Sequence, residues 1–219
     1  MRTETPEVQN YIESLAVPES GSKLKSREAA AELGLGRISL SPSEGQILSF
    51  MIRRHQCRKF VEIGTLTGLS AQYIIEGMDG EGILWSLEKT ELHAEKAREA
   101  LALHPAGSHI RIVLGDARVT LGSLAAEGPF DGVFIDGNKA AYGDYLAWAE
   151  KNVRRGGLIV ADNIFLSGSV WGQTTTQKFS EKQIRVMQEF NKRLSDTRLF
   201  ESIIVPTQEG MSFSIKINE

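Results

Sequence analysis

Val61-Glu62-Ile63-Gly64-Thr65-Leu66-Thr67-Gly68-Leu69-Ser70 is the stretch that decides the fold. A short β-rich apolar run at 60–63 meets a turn with two glycines, and a helical stretch at 70–78 follows. At such a junction the first N–H groups of the helix, with Ser70, can hold a carboxylate. Gly64 and Gly68 let a ligand approach the backbone closely. The spacing Gly64-x-x-x-Gly68 is not the G-x-G-x-x-G of pyrophosphate binding. Glu62, just ahead of the turn, repels phosphate and suits a ligand that brings a positively charged amine. A tight turn without a ligand would leave this acid at the end of a buried strand for no structural reason.

Outward from this junction the rhythm repeats. β-rich runs at 60–63, 83–87, 110–114, 132–135 and 158–161 alternate with helical stretches at 70–78, 91–103, 119–127 and 142–153. Strand–helix alternation with short connections predicts a parallel sheet covered on both faces. Gly156-Gly157 reads as a helix stop before the fifth strand. A helix at 181–194 then leads to runs at 199–205 and 211–217, joined by a Gln208-Glu209-Gly210 turn too short for anything but an antiparallel pair. The expectation is an α/β fold: a Rossmann-like, doubly wound, seven-stranded, mostly parallel sheet with an antiparallel last strand and helices on both faces. Towards the N-terminus, Ser41-Pro42-Ser43-Glu44 is a capping box with proline at the first helical position, opening a helix to about residue 54. Residues 1–36 form a helical extension, with stretches at 6–16 and 25–35. These are too short for a core of their own, so they pack on the body, on a partner subunit or over a site. The chain therefore reads as one domain, 1–219, with its Rossmann-like core at 37–219.

Composition restricts the function classes. Of 219 residues, 41% are hydrophobic and 24% charged, and the net charge of -3 gives no global pull towards nucleic acid or an anionic membrane. Cys57 is the single cysteine, which forbids an intrachain disulfide and fits a reducing compartment. Residues 1–10 are polar and carry acids, unlike a signal peptide, and no apolar run approaches the roughly 20 residues of a membrane span. A cytoplasmic protein with no membrane partner is expected.

The strand ends carry the chemistry, because ligands of a doubly wound sheet bind at its carboxyl rim near the switch point. Glu88 ends the second strand, where an acid accepts hydrogen bonds from both ribose hydroxyls of a nucleoside, of nicotinamide or methionine type alike. Asp116 and the backbone of Ala117 end the third and can meet an adenine edge; Asp116 equally suits a helix N-cap. The fourth strand ends in Asp136-Gly137-Asn138-Lys139 and the fifth in Asp162-Asn163. Asp136, Asp162 and Asn163 are all oxygen donors on one rim, a set suited to a hard cation such as Mg²⁺, with two N-caps as the plain alternative. The histidines His55, His93, His104 and His109 show no ligand spacing for zinc.

Taken together, Glu62-Ile63-Gly64-Thr65 with Gly68 and Ser70, Asp136-Gly137-Asn138-Lys139 with Tyr142 and Tyr145, and Gly156-Gly157 with Asp162-Asn163 and Gly168-Ser169-Val170 resemble the cation-dependent class I O-methyltransferases, which include caffeoyl-coenzyme A and catechol O-methyltransferases. The resemblance covers about residues 36–217. It implies S-adenosyl-L-methionine contacts at Glu62, Gly64, Ser70, Glu88, Ala117, Asp136 and Tyr145, to which Leu40, Thr65 and Asp116 are added as candidates. It implies metal ligation by Asp136, Asp162 and Asn163, with Mg²⁺ or another divalent cation such as Mn²⁺ or Ca²⁺. Lys139 stands where the family has a lysine implicated as general base, so Lys139 and Asp136 are the expected catalytic residues. Asn138 replaces a usual acid, Ile38 a common methionine, and Leu166 a frequent acceptor-pocket tryptophan, which argues against a plant-type phenylpropanoid acceptor.

The expected activity is metal-dependent methyl transfer to a hydroxyl of a catechol-like or other small aromatic acceptor, and the resemblance implies a homodimer. The first 36 residues and the 171–180 loop are expected to shape the acceptor site. The alternative within the family is 5-hydroxyuridine of transfer RNA, met by a basic surface of Arg53, Arg54, Arg58, Lys59, Arg154 and Arg155. A nicotinamide-dependent oxidoreductase is disfavoured by the glycine spacing, and a non-enzymatic regulator by the intact acids and Lys139.

Overall fold

The structure, a computed structural model, describes residues 6–173 and 179–218. Seven strands form one sheet in the order β3-β2-β1-β4-β5-β7-β6. They are β1 (Lys59–Ile63), β2 (Ile83–Glu88), β3 (Ile110–Leu114), β4 (Phe130–Ile135), β5 (Val153–Ala161), β6 (Phe200–Val205) and β7 (Met211–Lys216). The chain runs outward from β1 to β3 and then returns to place β4 on the other side of β1, so the switch point lies between β1 and β4. Ile63 pairs with Leu87 and with Ile135, and Ile135 pairs with Ala161, which brings the carboxyl ends of β2, β1, β4 and β5 level on one rim.

The alternation of side chains splits the core. Val61 and Ile63 point to one face with Trp85, Phe130, Tyr142 and Phe190, under α6 (Ala117–Leu124), α7 (Tyr142–Asn152) and α8 (Glu181–Leu194). Phe60 points to the other with Leu84, Phe134 and Phe213, under α3 (Pro42–Arg54), α4 (Leu69–Gly77) and α5 (Glu91–Leu101). The reciprocal capping box of Ser41 and Glu44 opens α3 as its sequence predicts.

One expectation needs correction. Gly156-Gly157 does not stop a helix: α7 ends at Asn152, and β5 begins at Val153. Pairing with β4 jumps from Phe130↔Val153 to Gly132↔Leu158, so the glycines lie in a bulge. A Cβ on Gly157 would fall 2.5 Å from Val153 Cγ1, and Gly156 has φ +73, so both need the smallest side chain. The last strand, β7, is antiparallel as expected, and it lies between β5 and β6, because its residues are buried along almost their whole length while β6 buries only Phe200 and tolerates an edge.

Of the N-terminal helices, α1 (Pro6–Ser14) leaves Tyr11 and Ile12 exposed. By contrast, α2 (Gly21–Glu32) sits against α4 and α5, buries Ser22, Lys23, Ser26, Ala29 and Ala30, and pairs Lys23 with Glu76 at 2.6 Å. No helix among the described residues is long and apolar enough to cross a membrane.

Candidate functional site

A cavity of about 420 Å³ opens at the carboxyl rim of β1, β2, β3 and β4. Of the residues expected at a cofactor site, Leu40, Gly64, Thr65, Ser70, Glu88, Asp116, Ala117, Asp136 and Tyr145 line it, together with Lys139 and Asn163. Glu62 and Asp162 stand behind the wall, 0% and 4% exposed.

The rim is held by hydrogen bonds that continue the ladder past the strand ends: Gly64 N–H donates to Leu87 O at 3.0 Å, Asp136 N–H to Ile63 O at 2.9 Å and Asp162 N–H to Ile135 O at 3.1 Å. Gly64, at φ +106, lies so close to β4 that a Cβ would be 2.4 Å from Asp136 O. The glycine is therefore required first by the neighbouring strand end. Gly68, at φ +80, is the left-handed residue that opens α4.

Glu62 Oε2 accepts from Ser86 Oγ, which also contacts Thr65 Oγ1, while Oε1 is buried and has no hydrogen bond. Burial pushes the Glu62 carboxyl up to about 8; the nearby Ser70 and Ser86 hydroxyls oppose this, and the charges of Asp136 and Glu88 add to it. An orphaned, desolvated carboxylate oxygen beside the turn is a fitting partner for a ligand ammonium group.

Glu88 is not a helix cap. Its Oε2 accepts from Leu66 N–H and its Oε1 from Thr90 N–H, both at 2.9 Å, so it fastens the Gly64–Gly68 turn to β2 while keeping lone pairs for hydroxyl donors. Asp116 does cap α6, accepting from Arg118 N–H at 2.9 Å, and still lines the cavity. The hydrogen bonds from Arg118 hold its carboxyl down to about 2.

On the β4–β5 side, Lys139 Nζ donates to Asp136 Oδ1 at 2.7 Å and to Tyr142 Oη at 3.0 Å. Burial works to depress the Lys139 ammonium, but the charge of Asp136 and the contact with Tyr142 prevail and raise it above the ordinary lysine range. Asp162 accepts from Asn163 N–H at 2.7 Å and from Asn163 Nδ2 at 3.2 Å. Burial, then the charges of Asp136 and Glu44, raise the Asp162 carboxyl well above the usual carboxylate range. The buried Asp162 carboxylate, facing the charge of Asp136 beside an amide oxygen, belongs to a donor set that a hard cation would relieve. Among the described residues no group of three or more His, Cys, Asp or Glu side chains converges as a metal cluster, so such a site depends on the Asn163 amide.

Sequence reasoning missed several neighbours. His93 lines the cavity with its Nδ1 3.6 Å from Glu88 Oε1; its place five residues after Glu88, in the first turn of α5, was the available signal. Leu66 reaches the cavity in a left-handed conformation, φ 48, which a leucine does not announce. Glu44 was read only as a cap, although its charge acts on Asp162. Leu166 is fully buried, so this position offers the acceptor no surface; Trp171, 60% exposed and packed edge-on against Phe165, is the aromatic nearby. Residues 174–178 of the expected acceptor loop lie outside the described residues. The basic residues near the starts of β1 and β5 sit at the rim opposite the cavity: Arg53 pairs with Asp79, Arg58 with Glu81 and Arg154 with Asp131.

The chain matches the family described as O-methyltransferase over residues 15–217. It is 32% identical over 215 residues to a catechol O-methyltransferase of Niastella koreensis, covering 95% of this chain and 96% of that one. It is 34% identical over 169 residues to a catechol O-methyltransferase of Mycobacterium tuberculosis, covering 77% of this chain and 76% of that one. Among solved structures, the O-methyltransferase TomG of Streptomyces achromogenes, involved in tomaymycin synthesis and in complex with SAM, superposes with a TM-score of 0.85 at 27% identity, covering 97% of this chain and 96% of that one.

Proposed function

The chain belongs to the O-methyltransferase family and is an S-adenosylmethionine-dependent enzyme; from that premise we propose that it methylates a hydroxyl of a small catechol-like aromatic acceptor with the help of a divalent cation, Mg²⁺ by the chemistry of its donors. The observation that carries this reading is the juxtaposition of Asp136 with Asp162 and Asn163 at the ends of the paired strands β4 and β5, beside the cavity. The names of the two curated relatives favour a catechol-like acceptor.

In this reading the Glu62 carboxylate receives the cofactor's amino group, Glu88 its ribose hydroxyls, and Asp116 and Ala117 its adenine edge. Asp136, Asp162 and Asn163 would hold the cation, which when bound lowers the acceptor's pKa and orients it. Lys139, held charged by Asp136 and Tyr142, donates to the acceptor oxygen and stabilises the negative charge that develops on it as the methyl group is transferred. The walls hold methyl donor and oxygen at attack distance, which contributes several kcal/mol, up to about 7–11 in favourable systems.

The test is methylation of catechol by the purified protein with S-adenosylmethionine, in Mg²⁺ and in excess chelator. Turnover that needs Mg²⁺ and fails for Asp136→Ala is expected, with the fold intact. Full turnover in chelator overturns the cation, and turnover of 5-hydroxyuridine transfer RNA alone overturns the acceptor.

A further inference from the structure

Helix α2 touches two walls of the cavity without lining it. Ser26 and Thr67 form a reciprocal pair: Ser26 Oγ donates to Thr67 O at 2.7 Å, and Thr67 Oγ1 donates to Ser26 O at 2.8 Å. Both residues are buried, and Thr67 belongs to the turn between Gly64 and Gly68. The next residue, Arg27, reaches the other wall. Its Nη2 donates to Leu40 O at 2.9 Å, while the guanidinium pairs with Glu19, which in turn accepts from Tyr73 Oη at 2.7 Å. One helix thus fastens the glycine turn on one side and the 38–40 segment on the other.

The character of this contact matters as much as its place. Of the five residues α2 buries, three are polar and the other two are alanines. Two alanines bring little apolar area, so hydrogen bonds and ion pairs carry the docking. A twelve-residue helix is not stable by itself in water, so α2 is ordered only while docked. Docking and a correctly spaced cavity are therefore two aspects of one state.

We infer that Ser26 and Arg27 are positioning residues for the cofactor, and that α2 is a brace whose contacts with the two cavity walls set cofactor affinity. Neither residue lines the cavity; each acts through a backbone carbonyl of a segment that does. Because the coupling is reciprocal, a bound cofactor stabilises these wall contacts of α2 by the same factor by which they strengthen binding. The inference rests on the reading that this cavity takes the cofactor.

The experiment measures S-adenosylhomocysteine binding by calorimetry, steady-state turnover, and hydrogen exchange of α2 amides with and without that ligand. Ser26→Ala and Arg27→Gln are each expected to weaken S-adenosylhomocysteine roughly five- to thirtyfold, the loss of one buried hydrogen-bonding partner, and to raise the cofactor KM alike, with kcat at saturation within about twofold. Lys23→Met removes different contacts of the same helix, the ion pair with Glu76 and the ammonium group over the Tyr73 ring, neither of them with a residue that lines the cavity. It is expected to lower the thermal midpoint and leave the Kd within about twofold. In the unaltered protein the ligand is expected to slow α2 exchange. Unchanged Kd in both Ser26→Ala and Arg27→Gln, equal weakening by Lys23→Met, or α2 exchange indifferent to ligand overturns the brace; the exchange measurement decides even where a variant fails to fold. An unaltered protein that does not bind S-adenosylhomocysteine overturns the cofactor reading of the cavity instead.

Discussion

Lys139 and Asp162 are joined through a tyrosine: Lys139 Nζ donates to Tyr142 Oη at 3.0 Å, and that hydroxyl donates to Asp162 O at 2.8 Å. With Lys139 also 2.7 Å from Asp136 Oδ1, a single ammonium group ties the end of β4 to the end of β5. Asp136 is 22% exposed and Lys139 17%, so the pair is partly desolvated and its geometry is held by neighbours rather than by water.

Lys139→Met keeps most of the length of the side chain and deletes its charge. If the ammonium acts on the acceptor oxygen, kcat falls by about 10²–10⁴, while the Kd for S-adenosylhomocysteine changes by less than about threefold. Steady-state kinetics with calorimetry checks both. A kcat equal to that of the unaltered enzyme removes Lys139 from the chemistry.

Gly64→Ala forces a Cβ to within 2.4 Å of Asp136 O at a residue with φ +106. Either β1 or the end of β4 must shift. A loss of stability of about 1–3 kcal/mol is expected from the backbone conformation alone, with a loss of activity larger than the loss of stability explains, because Asp136 is displaced. Urea unfolding beside turnover well below the midpoint separates the two. A variant with unaltered stability would show that the backbone relaxes freely here.

What was legible in the chain follows from which interactions are local. The first four strands were read nearly to their ends because each is a short apolar run between helices, whereas the fifth was begun at 158 although it starts at Val153. The acids at Glu62, Glu88 and Asp136 were read because they break such runs at the rim. Gly156-Gly157 misled because a glycine pair after a helix suits a helix stop and a bulge equally. The position of β7 inside the sheet depends on which face of a hairpin meets β5, which no local pattern encodes. The Ser26–Thr67 pair spans 41 residues, and neither partner has a side chain that advertises it. Asp116 caps α6 and also lines the cavity, so the cap and an adenine contact there do not exclude each other.

Asp131 provides a test at the far rim. It accepts from Arg58 N–H at 2.7 Å, Lys59 N–H at 2.9 Å and Arg154 Nε at 2.7 Å, pinning the starts of β1 and β5. Burial tends to raise its carboxyl, but Arg154 and the two backbone donors hold it below the ordinary value. The stability this contributes is present above about pH 4 and is lost as pH falls through the depressed folded value. Asp131→Ala is expected to cost about 1–3 kcal/mol at pH 7 and to leave kcat unchanged. A variant as stable as the parent at pH 7 would show that these bonds merely replace water.

Glu62 gives the opposite sign. Its folded value is raised to about 8 from an ordinary 4.5, so between those limits the folded protein without ligand binds a proton that the unfolded chain does not. Stability from this group is full below pH 4.5 and is lost as pH rises through 8, with a slope approaching about 1.4 kcal/mol per pH unit. Glu62→Gln keeps the shape without the charge and should flatten the dependence of the thermal midpoint on pH across this window. A ligand ammonium against Oε1 favours the ionised form, so S-adenosylhomocysteine should expel up to about one proton at pH 7 from the unaltered protein and none from the variant. Calorimetry in buffers of different ionisation enthalpy counts that proton. Binding without proton release in the unaltered protein would place the amino group elsewhere in the cavity.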